Sequence, residues 1–152
     1  LINSGEKIAL LLIGSVEDDS ITVIKKIFSK NNSHLVILDH TKETEKFYNY
    51  SYITCLPSTR EGFGMTLIES SACGTPVVGS DIYGLKDSFE DGMSGFSFKV
   101  DDINDLALKI KMLLNDKQKY NNFRDYGINR SNELFNKEKI EIEFKKFISN
   151  CL

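Results

Sequence analysis

Apolar residues recur along this chain in two rhythms, and the rhythm switches from segment to segment. Residues 8–13 form an unbroken apolar run closed by Gly14. Such a run reads as a strand covered on both faces. Ile21, Ile24, Ile27 and Phe28 then return at helical spacing, and residues 35–38 make a second apolar run ending at Asp39. Residues 41–49 predict a short helix with Thr41 as its N-cap. Residues 52–56 predict a third strand, stopped by Pro57. Residues 65–73 predict a helix ended by Gly74 as C-cap. Pro76 opens a strand over residues 77–79, a position where proline is tolerated. Gly84, Gly92 and Gly95 mark loops, and residues 96–100 predict an edge strand. Asp101 or Asp102 caps an amphipathic helix with the apolar face Ile103, Leu106, Ala107, Ile110, Leu113 and Leu114. The rest, residues 116–152, reads as a helical tail whose aromatic positions Phe123, Tyr126, Phe144 and Phe147 have the spacing of packing residues.

Short apolar strands alternating with helices predict an α/β fold: a three-layer α/β/α, Rossmann-like domain with a parallel sheet and a helical C-terminal tail. Ligands of such sheets bind at the carboxyl ends of the strands. The loops at those ends are residues 14–19, 39–42, 57–64 and 79–87. Internal repeats, low-complexity segments, Gly-x-Gly-x-x-Gly and Walker-type loops are all missing from the sequence.

Composition narrows the function classes. The 152 residues suffice for one domain with its own core. Lys and Arg total 19 against 22 Asp and Glu, a net charge of -3 without a basic block, so nucleic-acid binding has no electrostatic support. Cys55, Cys73 and Cys151 are odd in number and lack a Cys-x-x-Cys pair, the pattern of reduced, mostly buried thiols in a cytoplasmic protein. Lys7 and the apolar run after it are too short for the roughly 7–15 residues of a signal-peptide core. No run nears the roughly 20 residues of a membrane-spanning helix. The chain starts at Leu1 and enters a strand almost at once, so we expect a segment of a longer protein.

The chemistry concentrates in residues 57–69, Pro57-Ser58-Thr59-Arg60-Glu61-Gly62-Phe63-Gly64-Met65-Thr66-Leu67-Ile68-Glu69. Two glycines bracket Phe63 just before a helix, where the backbone can approach a ligand closely. The helix N-terminus adds free N–H groups and partial positive charge, a credible phosphate site. Glu61 stands at the helix mouth, and Glu69 stands inside the helix beside its apolar stripe. Eight helical residues span roughly 12 Å, about the reach of a diphosphate with a sugar at one end and a ribose at the other. A carboxylate suits a pair of sugar hydroxyls. The same residues also fit an ordinary strand–loop–helix with a solvated glutamate and a cap-like one. Arg60 fits a phosphate contact or a solvated loop arginine equally. His40 fits a loop position better than a contact to a nucleotide base. His34 and His40 lack the companions of a metal site. Asp18, Asp19 and Asp39 also match the acidic cluster of phosphate-receiver domains. A receiver needs a lysine at a later strand end, where Ser80 and Asp81 stand instead.

The arrangement Pro57-Ser58-x-x-Glu61-Gly62-Phe63-Gly64-x-x-x-x-Glu69 resembles the Glu-x7-Glu signature of retaining glycosyltransferases. These are of the two-domain GT-B type, in the glycogen-synthase-like and capsular-polysaccharide group ("glycosyl transferases group 1"). Gly74-Thr75-Pro76-Val77-Val78, Gly84, Asp87, Asp91-Gly92-x-x-Gly95-Phe96 and the helix after Asp102 follow in the family's order, so the likeness covers roughly residues 8–136. The resemblance implies that residues 1–152 are the C-terminal, nucleotide-sugar-binding domain. It implies a donor that is a nucleoside diphosphate sugar, with Glu61 on the transferred sugar and Glu69 on the ribose. Amides of Gly62, Phe63, Gly64, Met65 and Thr66 would meet the diphosphate and sugar. It further implies transfer with retention to a saccharide or lipid-linked acceptor held by an N-terminal domain, no metal, and a cytoplasmic enzyme that can touch the membrane peripherally through its other half. The lysine and arginine that neutralise the diphosphate in the family belong before Leu1. His40 and Asp87 depart from the family's usual Gly and Glu. The competing expectation is a receiver-like or other non-catalytic regulatory domain.

Overall fold

The structure, a computed structural model, describes residues 1, 5–15, 19–28 and 34–151; Asp18 of the acidic pair lies outside them. It divides into two compact units, Leu1–Thr44 and Glu45–Leu152. In the first, β1 (Leu10–Ile13) pairs in parallel with β2 (Leu35–Leu38), Leu10 opposite Leu35 and Ile13 opposite Leu38. Helix α1 (Ser20–Ile27) lies between them in sequence, as a parallel pair requires. β1 starts at Leu10 instead of Ile8, whose carbonyl bonds the His34 ring at 2.8 Å. The strands are not buried on both faces as their sequences suggest: Leu10, Ile13 and Val36 are exposed. A two-stranded ladder with one helix has little with which to cover two faces.

The second unit is the better packed. Helix α2 (Thr44–Tyr50) leads into β3 (Thr54–Leu56), α3 (Met65–Ala72), β4 (Val77–Ser80) and β5 (Gly95–Phe98). Helices α4 (Ile103–Asn115), α5 (Lys117–Leu134) and α6 (Lys137–Cys151) follow. The strands form a parallel sheet in the order β3-β4-β5. Central β4 is buried throughout. Its successive residues point to opposite faces. Val78 joins Phe96, Phe98, Leu113 and Phe123 on one side, while Val77 joins Leu67, Leu85 and Phe89 on the other. The expected layering of helix, parallel sheet and helix is thus present in this unit.

Local chemistry explains where the elements depart from the predicted limits. Thr41 does not cap α2: its hydroxyl accepts from the Glu43 N–H at 3.1 Å, a local turn, and the helix starts at Thr44. β3 starts at Thr54 instead of Tyr52 because its register, Thr54 opposite Val77, sets the preceding residue against Pro76, which has no N–H. β5 is Gly95–Phe98, not 96–100: the Lys99 N–H leaves the ladder for Asp105 Oδ2 at 2.8 Å. Asp102, not Asp101, caps α4, accepting from the N–H groups of Asn104 and Asp105. Ile103 is 81% exposed and off the apolar face; at the first helical position its side chain leans back past the helix end. The helical tail is present and consists of two helices. Asp116 caps α5 through the Lys119 N–H, and the Asn136 side chain accepts from Glu138 and Lys139 at the start of α6. Phe123 is buried as predicted, but Phe144 and Phe147 are exposed, and α6 contains no buried residue. The thiols are not mostly buried either: Cys55 and Cys151 are exposed, and Cys73 is intermediate.

Candidate nucleotide-sugar site

α3 ends in a Schellman turn, with Gly74 N–H bonded to Ser71 O and Thr75 N–H to Ser70 O, both at 3.0 Å. Gly74 supplies the left-handed residue at φ 79°. The buried Ser70 hydroxyl donates to Thr54 Oγ1 at 2.7 Å, and the Thr75 hydroxyl donates to the Tyr48 carbonyl at 2.7 Å. This end of α3 is therefore tied to β3 and α2. Its other end points at the loop from Pro57 to Gly64, at the carboxyl end of β3, where a parallel sheet collects ligands.

The N-terminus of α3 is open. Gly64 is its N-cap, at φ 69° and ψ 45°, and no side chain caps the first turn. The Leu67 N–H turns back to Gly64 O at 2.9 Å, and no acidic side chain stands in the first turn to repel an anion. Gly62 has nothing within 4 Å of where a side chain would begin, whereas a Cβ on Gly64 would lie 2.3 Å from Leu85 Cδ2 and 3.1 Å from Ser88 Oγ. One face of the loop is thus open to a ligand while the other rests on the segment after β4. Gly84 closes the same contact, with a would-be Cβ 2.0 Å from the Glu61 carbonyl oxygen. That close approach explains the glycine at this position, and the residue's role was not legible in the sequence.

Both carboxylates are held. Ser58 donates to Glu61 Oε1 at 2.7 Å, and Tyr48 donates to Glu69 Oε2 at 3.1 Å. Glu61 is half-buried and Glu69 exposed, on either side of the open turn. Partial burial and then the Glu69 charge push the Tyr48 phenol up to about 12, so it keeps its proton and donates. Burial, then the charges of Glu45 and Glu69, push the Cys73 thiol up. Ser58 and Tyr48 were missed as functional residues: Ser58 is part of the motif without an assigned task, and Tyr48 meets Glu69 only through the fold.

The structure therefore brings together Glu61, Gly62, Phe63, Gly64, Met65, Thr66 and Glu69, with Arg60 exposed in the same loop. His40 belongs to the first unit, exposed after β2, its N–H bonded to Asp39 Oδ1 at 2.7 Å. Among the described residues no three His, Cys, Asp or Glu side chains converge as metal ligands. No helix among them is long and apolar enough to cross a membrane.

Known proteins are similar to this chain in sequence and fold. The capsular polysaccharide biosynthesis glycosyltransferase CapM of Staphylococcus aureus is 29% identical over 153 residues, spanning 100% of this chain and 40% of CapM. The sucrose-phosphate synthase of Thermosynechococcus elongatus superposes with a TM-score of 0.82 at 26% identity, over 93% of this chain and 38% of that one. Anabaena HepE, solved with UDP and glucose, shares the fold at a TM-score of 0.88 and 20% identity, over 95% of this chain and 41% of that one. This chain thus spans about two fifths of the length of these relatives. The family model for glycosyl transferases group 1 matches residues 1–130, and with it the motif from Pro57 to Glu69: the chain belongs to that family.

Proposed function

We propose that this chain is the donor-binding part of a glycosyltransferase that takes a sugar from a nucleoside diphosphate sugar. The observation that carries the reading is the open N-terminus of α3 standing between two oriented carboxylates. The first-turn N–H groups receive the diphosphate, where the helix end favours negative charge. Glu69, fixed by Tyr48, takes the ribose hydroxyls, and Glu61, fixed by Ser58, takes hydroxyls of the transferred sugar. Arg60 is a candidate contact to the phosphates.

Bond cleavage leaves negative charge on the departing diphosphate and positive charge on the sugar ring. N–H donors fixed before reaction stabilise the first, and the Glu61 carboxylate, close to the sugar, favours the second. The charge of the leaving group is met by amides and basic side chains, without a metal. The sugar goes to a saccharide or lipid-linked acceptor held by another part of the protein, with retention at the anomeric carbon, in polysaccharide or glycan synthesis. Cytoplasmic residence, with peripheral membrane contact of the full-length protein, suits a donor made in the cytosol.

The test is sugar transfer by the full-length protein from a panel of nucleoside diphosphate sugars. Glu61→Ala should abolish turnover, and Glu69→Ala should raise the donor KM. Full turnover in Glu61→Ala would contradict the reading.

A further inference from the structure

The donor loop is held from behind by the end of α5, where the family match runs out at residue 130. A side chain at Gly62 would begin in open space, Gly64 rests on Leu85 and Ser88, and Phe63 is 40% exposed. The Phe63 ring meets one aromatic neighbour, Phe135, edge to face with centroids 5.9 Å apart. Phe135 follows the last residue of α5 and lies past residue 130, where the family match stops. Over its ring, 5.3 Å from the centroid, stands the Arg130 guanidinium. That guanidinium donates from Nη2 to the Asp87 carbonyl at 2.7 Å and from Nη1 to the Ser88 carbonyl at 3.4 Å. One turn earlier on α5, Tyr126 donates its hydroxyl to the Glu90 carboxylate. α5 thus grips residues 87–90 at two points, and the segment it grips is the one that Gly64 and Gly84 press against the Glu61 loop.

We propose that Arg130 and Phe135 are positioning residues for the donor loop. Arg130 pins the segment after β4 through two consecutive carbonyls and orients the Phe135 ring. Phe135 in turn fixes Phe63, and so the direction of the N–H groups between Phe63 and Thr66. The pair touches no substrate. It adds to the Gly64 and Gly84 contacts that seat the loop, and misplacement of reacting groups by about 1 Å can cost about 100-fold. This inference rests on the donor-site reading above.

The experiment uses the full-length protein with Phe135→Ala, Phe135→Tyr, Arg130→Ala and Arg130→Lys. Phe144→Ala serves as a control, an exposed aromatic of α6. Uridine, adenosine and guanosine diphosphate are titrated into the wild type, and the tightest binder is used throughout. Phe135→Ala and Arg130→Ala should each weaken its Kd about tenfold and speed amide exchange at Leu67 and Ile68, the first bonded amides behind the loop. Exchange in β4 and in the middle of α5 should stay at wild-type rates. Phe135→Tyr, which keeps the ring, should restore both readouts; Arg130→Lys, a point charge without the fork, should restore little. Unchanged Kd and exchange in both alanine variants would overturn the proposal, as would equal loosening of β4 and α5. If the wild type bound none of the three nucleotides, the donor reading would fall with them. Exchange at Leu67 and Ile68 would still decide whether Arg130 and Phe135 hold the loop.

Discussion

Gly64→Ala isolates the loop geometry on which the site depends. At φ 69° and ψ 45° an L side chain costs roughly 1–2 kcal/mol. The new methyl would also stand 2.3 Å from Leu85 Cδ2 and 3.1 Å from Ser88 Oγ. Leu85 is 1% exposed and has little room to turn aside, so the overpacking adds roughly 1–3 kcal/mol. The sum is about 2–5 kcal/mol, concentrated at the start of α3. Gly62→Ala is the matched control: nothing lies within 4 Å of its Cβ, and Gly62 is not among the positive-φ glycines. Its stability should change by less than about 1 kcal/mol. Amide exchange at Leu67 and Ile68 reads the difference where it arises. Exchange in Gly64→Ala should rise by about 30-fold to several-thousand-fold, and Gly62→Ala should match the wild type. Equal exchange in the two variants would refute the claim that Gly64 is required by a left-handed cap pressed against Leu85.

Three further outcomes follow from the same geometry. Gly84→Ala sets a methyl 2.0 Å from the Glu61 carbonyl oxygen, a backbone atom that can yield only by moving the loop; donor turnover should fall about 100-fold, with far-UV circular dichroism unchanged. Tyr48→Phe removes the proton donor to Glu69 and the titration near pH 12. The raised phenol favours the folded state below its ordinary pKa of about 10, and this advantage is lost as pH rises through about 12. Wild type should therefore lose roughly 1 kcal/mol more than the variant in alkaline denaturation, after discounting for solvent screening. Asp102→Ala frees the two N–H groups at the start of α4 and should cost about 1 kcal/mol in chemical denaturation.

What could be read in advance was what local chemistry decides. β4 was legible because Pro76 opens it and two valines fill it. Gly74 was legible as a helix stop, an aspartate as the cap of α4, and the two glutamates from their spacing across one short helix. The limits of β3 and β5 were not, because a ladder ends where its partner runs out of donors. That depends on Pro76 and Asp105, which sequence neighbours do not reveal. The break of the tail at Asn136 was signalled by a capping residue, but helical periodicity on both sides hid it. The long-range supports of the site were the least visible: Tyr48 to Glu69, Gly84 to Glu61, and Arg130 to the Asp87 carbonyl all join residues that only the fold brings together.

The central claim is that a nucleoside diphosphate sugar lies along the start of α3 between Glu61 and Glu69. Backbone amide spectra or exchange rates of the full-length protein, recorded during titration with nucleoside diphosphate sugars, test it most directly. The account predicts that the effective donor perturbs residues 62–69 first and most strongly, and that Glu69→Ala weakens the perturbation. Amides of residues 62–69 that stay unmoved at millimolar donor, for every nucleotide sugar tried, would contradict it.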